Sequence, residues 1–159
     1  MWPFLSFPQL YDDVLELRIM HYLPENRELG YVPSYVYGIY ERGNPEIIGI
    51  IDLRIGHNEN THFGGHIGYR IYEDYRGHGY AGRACHLLVP VALAHDMHTL
   101  RITCNPDNLA SRRTIEKLGA TLIEIANLPP HNEMYKRGEP VKCLFDWQIA
   151  PDDAQKEEE

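Results

Sequence analysis

The chain is 159 residues long, 43% hydrophobic and 24% charged, which fits one domain with a substantial core, and no apolar run approaches the ~18 residues of a membrane span. The formal net charge is −8, and half of it lies in residues 152–159, so residues 1–150 read as a single domain and 151–159 as an acidic tail of disordered composition. An acidic body excludes nucleic acid and anionic membranes as partners; Cys85, Cys104 and Cys143, odd in number and without C-x-x-C spacing, read as reduced thiols, and with no secretory leader the expected location is cytoplasmic.

Residues 14–22 read as a first strand, and 23–33, with two prolines and Gly30, as a loop or short helical turn. Residues 35–40 alternate and meet Arg42-Gly43-Asn44, which predicts a hairpin into 46–55. Residues 56–64 read as a turn, and 66–72 as a strand. That strand runs into a basic, glycine-rich turn, Arg76-Gly77-His78-Gly79-Tyr80-Ala81, and then into a helix. The first N–H groups of such a helix have no intrahelical partner and carry the positive end of its dipole, so the turn is an anion cradle. Gly77 and Gly79 remove the Cβ atoms that would hold a pyrophosphate away, and Arg76 adds a guanidinium suited to phosphate oxygens.

Three phosphate-binding patterns compete for this turn. No Gly-Lys-Ser or Gly-Lys-Thr occurs, which excludes the Walker loop. Gly77-x-Gly79-x-x-Gly82 satisfies a dinucleotide fingerprint, but that motif needs a βαβ unit and a ribose-binding acid about 20 residues on, and the nearest later acid at a strand end is Asp107. The third pattern, R/Q-x-x-G-x-G/A, is met by Arg76, Gly79 and Ala81.

Beyond the cradle, Ala81, Ala84, Leu88, Val91 and Ala92 recur at helical spacing, and Pro90 predicts a kink or break. Residues 100–104 form the next strand, Asp107 or Asn108 the N-cap of a second helix that stops at Gly119, and 121–125 and 141–149 the closing strands. Between these lie thirteen residues, 128–140, with three prolines; loops of that length are often functional.

The tract from Asn108 through Ser111, Glu116 and Lys117 to Gly119, about thirty residues after the cradle, resembles the N-x-x-S-x-x-x-x-E-K-x-G helix of the GNAT superfamily of acetyl-CoA-dependent N-acetyltransferases. The resemblance covers roughly residues 46–149. It implies an α+β fold with a mixed, mostly antiparallel sheet flanked by helices, and a parallel strand pair splayed at the cofactor. It further implies that pantetheine amides pair with the backbone of Tyr69, Arg70 and Ile71. The pyrophosphate then sits on the N–H groups of Arg76, Gly77, His78, Gly79, Tyr80 and Ala81, and Asn108 and Arg112 flank the far end of the cofactor.

The implied chemistry is direct attack of an amine on the thioester in a ternary complex, which requires a base, a carbonyl donor and an acid. His66 is the first candidate base, ten residues before Arg76, where members often carry Glu or His; Glu73 and Asp74 come second. The usual tyrosine before Glu-Lys is Ile115 here, so the acid must come from elsewhere, and Tyr135 in the long loop is the candidate. Residues 23–34 leave room for barely one of the two helices that usually wall the acceptor site. The cleft is then open or completed by a partner subunit, as in a homodimer, with Asp52, Arg54, His57, His62, Asn132, Glu133 and Tyr135 near it. His62 and His66 on one alternating strand stand about 13 Å apart, too far for a shared metal.

The sequence therefore reads as an acetyl-CoA-dependent N-acetyltransferase acting on a small-molecule or peptide amine. A GNAT-fold protein that binds acyl-CoA without turnover is the alternative.

Overall fold

The computed structural model describes residues 4–151; the acidic tail at 152–159 lies outside them. Strands β1 (Leu15–Leu23), β2 (Ser34–Glu41) and β3 (Ile47–Arg54) form an antiparallel meander, with Leu17 opposite Ile39 and Ile39 opposite Gly49. Arg42-Gly43-Asn44 turns β2 into β3, and the Asn44 side chain accepts the Glu46 N–H at 3.0 Å. Strand β4 (Ile67–Ile71) pairs antiparallel with β3, Gly68 lying opposite Asp52. Strands β5 (Thr99–Cys104), β6 (Thr121–Asn127) and β7 (Val141–Gln148) make a second antiparallel group in the order β5-β7-β6.

The mixed α+β architecture is the expected one, but its sheet is divided into four strands and three. Strand β4 follows a backbone link from the His66 N–H to the Arg101 carbonyl on β5, at 2.6 Å. Among the described residues no other backbone hydrogen bond joins the two groups. One core nevertheless spans both: Tyr35, Ile51, Leu53, Leu88, Leu100, Ile102, Ile115 and Phe145 are buried in a single cluster. The division is therefore a local parting of two strands over a continuous interior.

Among the described residues five α-helices connect the strands: α1 (Glu59–Gly64), α2 (Tyr80–Leu87), α3 (Val89–Ala94), α4 (Leu109–Lys117) and α5 (Glu133–Lys136). Two of them correct the sequence reading. Residues 59–64 are a helix and not a turn, because Asn58 and Thr61 cap each other, side chain to backbone, in both directions. The loop at 128–140 carries α5, whose N-cap is Asn132. The break at Pro90 is complete: α2 stops and α3 restarts, since proline has no N–H to continue the ladder. The buried positions across this break are Ala84, Leu88, Val91 and Ala92 of the predicted stripe together with Cys85, while Ala81 stands at the edge of a cleft.

No helix among the described residues is long and apolar enough to cross a membrane. Cys85, Cys104 and Cys143 are free and buried; burial pushes the Cys85 thiol up to about 12 and the Cys104 thiol up to about 11.

Candidate active site

Where β4 and β5 part, a cleft of about 760 Å³ opens between the end of β4, the N-terminus of α2 and one face of α4. Its floor follows from local sequence. After β4, Glu73–Tyr75 make one 3-10 turn, and the Arg76 Nε donates to the Ile71 carbonyl at 2.8 Å, folding the chain back on the strand it has just left. Gly77 and Gly79 have φ of 88° and 72°, the left-handed region that glycine adopts without penalty. A Cβ at either position meets no atom within 4 Å, so open space stands over the turn. Gly79 is the N-cap of α2 and has no side chain to close the helix's first N–H groups, which are left for an anion.

Tyr69, Arg70, Ile71, Arg76, Gly77, Gly79, Tyr80, Ala81 and Asn108 all line this cleft. His78 and Arg112 do not. The His78 ring tilts against Tyr80 at 5.3 Å between centroids, and Arg112 donates to the Pro106 carbonyl at 3.2 Å. The wall of α4 is instead Ala110, Ser111, Arg113, Thr114, Lys117 and Leu118. Their recurrence at three- and four-residue spacing was available in the sequence as the phase of the helix. Arg83 lines the cleft too but pairs with Asp12 and Asp13 at 3.1 Å each, and the Tyr80 hydroxyl donates to Glu41 at 2.7 Å. The cleft's other cations are Arg70 on β4, Arg76 in the turn, and Arg113 and Lys117 on α4.

The two catalytic expectations are corrected. His66 is 4% exposed; its Nδ1 accepts the Arg101 N–H at 2.8 Å, and its Nε2 faces the Gly56 carbonyl at 2.9 Å and so carries the proton. Burial, with the neighbouring His57 next, holds its pKa down at about 4. At neutral pH both ring nitrogens are engaged with backbone groups, so His66 offers no free lone pair to a substrate and acts as a structural pin between the strand groups. Tyr135 lies on α5, 39% exposed and outside the lining of the cleft, so it does not reach a leaving group there.

The residues expected at the acceptor side divide. His57 and His62 border a smaller cleft of about 240 Å³ with His66, Arg101 and Asp146; His62 lies on α1, not on a strand with His66. Asn132 is buried as a helix cap, and Glu133 lies at 3.7 Å from Lys136. Asp52 and Arg54 remain together: Arg54 Nε donates to Asp52 at 2.8 Å and its Nη1 to the Gly64 and Gly65 carbonyls. Both side chains lie over Gly68, within 2.6 Å of where a Cβ would stand, so a larger residue there would push these two side-chain ends aside. Burial raises the Asp52 pKa even against the Arg54 charge. On the opposite face of β4, the Tyr69 ring reaches inward, and its hydroxyl is buried beside Ser111 and Thr114.

A family model described as an acetyltransferase (GNAT) domain matches residues 7–121. Among solved structures, a Vibrio cholerae protein described as a candidate ribosomal-protein-serine acetyltransferase is 25% identical, with a TM-score of 0.55 over 72% of this chain and 64% of that one. The microcin C7 self-immunity acetyltransferase MccE, solved with acetyl-CoA and AMP, is 19% identical, with a TM-score of 0.58 over 73% of this chain and 61% of that one. RimL, a ribosomal L7/L12 alpha-N-protein acetyltransferase solved with coenzyme A, is 20% identical, with a TM-score of 0.57 over 79% and 67%. The last two likenesses show the fold alone. The chain spans a little under two thirds of the length of the first two structures. A search of curated proteins finds no significant match.

Proposed function

This chain belongs to the acetyltransferase (GNAT) domain family, and from that premise we propose that it transfers the acetyl group of acetyl-CoA to a primary amine, most readily the amine of a peptide. The observation that carries the reading is the cradle: two left-handed glycines under open space, at the uncapped start of α2, leading back along the edge of β4. That geometry suits a pyrophosphate with a long arm attached. Bound there, acetyl-CoA supplies an activated acetyl carbon.

Two features favour a peptide acceptor over a small one. The connection between β1 and β2 is ten residues held by an Asn26–Tyr31 bridge, with no helix to wall the site, so that side is open enough for a polypeptide. Solved structures similar to this chain are described as ribosomal-protein acetyltransferases. The acidic body favours a cationic partner.

Asp52 is the carboxylate proposed to take the proton of the attacking ammonium. It stands outside the cleft lining but over Gly68, the β4 neighbour of the lining residue Tyr69, and its raised pKa brings it closer to the working pH than an ordinary aspartate. Asp52→Asn is expected to lower kcat by about 100-fold and to remove the acidic limb of the rate profile, while coenzyme A affinity stays unchanged. A pH–rate profile of the two proteins checks this, and an intact limb in the variant would reassign the base.

The reading itself is tested by a thermal-shift series with acetyl-CoA, coenzyme A and NAD, followed by mass spectrometry of peptides with free amino termini and of polyamines. A ligand at about 100 times its Kd stabilises by roughly 2.7 kcal/mol, several degrees for a domain of this size. Stabilisation by both coenzyme A species and a gain of one acetyl group on a peptide are expected. Stabilisation by NAD alone would overturn the transferase reading. Tight coenzyme A binding with no acetylation of any amine would make the chain an acyl-CoA-binding protein.

A further inference from the structure

We propose that Arg113 and Lys117 on α4 hold the 3′-phosphate on the nucleotide of coenzyme A, so that this chain discriminates coenzyme A from its dephosphorylated form. The proposal rests on the acetyltransferase reading above and names a specificity within it. Its starting point is a charge imbalance. The protein carries a net charge of −8, yet among the described residues Arg70, Arg76, Arg83, Arg113 and Lys117 line the cleft and no carboxylate does.

What each cation already binds separates their roles. Arg83 is neutralised from behind by Asp12 and Asp13. Arg76 gives its Nε to the Ile71 carbonyl and belongs to the cradle itself. Arg70 lies back on β4, beside the path of an arm that leaves the cradle. Arg113 and Lys117 remain, both exposed, and among the described residues neither makes a hydrogen bond or an ion pair. Four residues apart, they share one face of α4 with Cβ atoms about 6 Å from each other, and like charges at that spacing repel. An anion between them turns the repulsion into two charge-assisted bonds.

Their position says which anion. The cradle meets a pyrophosphate with the first N–H groups of α2 and with Arg76, and does not need α4 for that. Leu118, the residue after Lys117, stands 4.0 Å from where a Cβ on Gly82 would be, so this end of α4 abuts the first turn of α2. The pair therefore stands beside the cradle, on the α4 wall of the cleft. From a pyrophosphate seated there the pantetheine arm departs along β4, and the nucleotide departs from the other end. Adenine and ribose are neutral, and a phosphate monoester carries about two charges at neutral pH, so the 3′-phosphate is the group that suits two unneutralised cations.

The test is calorimetric titration of the full chain with coenzyme A and with dephospho-coenzyme A, which differ by that one phosphate. The wild type is expected to bind coenzyme A about 30-fold more tightly, the size of two charge-assisted bonds in a solvated cleft. With Arg113→Gln and Lys117→Gln together, the ratio is expected to fall below about threefold while dephospho-coenzyme A affinity stays unchanged. Glutamine matches arginine and lysine in helix propensity, so the variant should fold. The conservative pair Arg113→Lys and Lys117→Arg is expected to keep most of the preference, and its loss there would overturn a role based on charge. Equal binding of both ligands by the wild type, or a preference that survives the glutamine pair, overturns the proposal while coenzyme A binding stands. An equal loss of affinity for both ligands in the glutamine pair also overturns it, and assigns the two residues to the pyrophosphate. Failure of the wild type to bind either ligand overturns the acetyltransferase reading and this proposal with it.

Discussion

Gly79→Asp is expected to raise the dissociation constant of coenzyme A by at least about 100-fold, roughly 2.7 kcal/mol, while leaving the protein folded. The fold survives for three reasons. Aspartate is among the residues that enter the left-handed region most readily, and Gly79 sits there with φ 72° and ψ 19°. Its Cβ would meet nothing within 4 Å. A carboxylate at the N-cap of α2 also interacts favourably with the helix dipole, offsetting much of the backbone cost. Binding is lost because that carboxylate occupies the space and supplies the charge that a pyrophosphate would bring. Calorimetric titration of coenzyme A alongside a thermal melt without ligand separates the two effects. An unchanged affinity would remove the cradle from the binding site.

The second large effect concerns His66 and appears in stability instead of turnover. His66→Leu strips the Arg101 N–H of its acceptor and the Gly56 carbonyl of its donor, two losses of about 1–3 kcal/mol each, so a fall in Tm of order 10 °C is expected. The pH signature is more specific. The pKa of His66 is lowered from 6.5 to about 4 in the folded chain, so the unfolded state binds the proton more readily. Stability from this group is full above pH 6.5 and is lost as pH falls toward 4, about 3 kcal/mol across the window. Urea melts at pH 7, 5.5 and 4.5 should show the fall in the wild type and its absence in His66→Leu. A wild type equally stable at all three would show that the imidazole is not held neutral. Glu139 contributes in a different window: bonds from Lys142 and Asn105 hold its carboxyl down at about 2, so its contribution is lost only between pH 4.5 and 2.

What the sequence showed and what it concealed follow from how local each signal is. The cradle was legible because it is a run of six residues whose glycines, arginine and following helix act through their own backbone. The break at Pro90 and the cap at Asn108 are equally local. The role of His66 was not legible, because the partner that occupies its Nδ1 lies 35 residues away on another strand. Nothing beside His66 in sequence says that Arg101 will arrive there. The resemblance implies Arg112 at the far end of the cofactor, whereas the rotation of α4 turns Arg113 to the cleft and Arg112 to the Pro106 carbonyl. Helix α1 was missed because its capping partner is Thr61, where a glutamate or glutamine gives the usual signal. Tyr69 was visible only as a backbone position on an edge strand; the burial of its hydroxyl depends on three elements meeting around it.

The three buried thiols bear on how this protein can be assayed. A thiol-reactive dye added during turnover reports every accessible sulfhydryl, and in many enzymes the protein's own cysteines drown the product. Here Cys85, Cys104 and Cys143 are all enclosed, and at least two are held far from ionisation at neutral pH. While the chain stays folded, colour develops from released coenzyme A alone, so turnover can be followed continuously without a cysteine-free variant. The same dye reads unfolding once the substrate is left out.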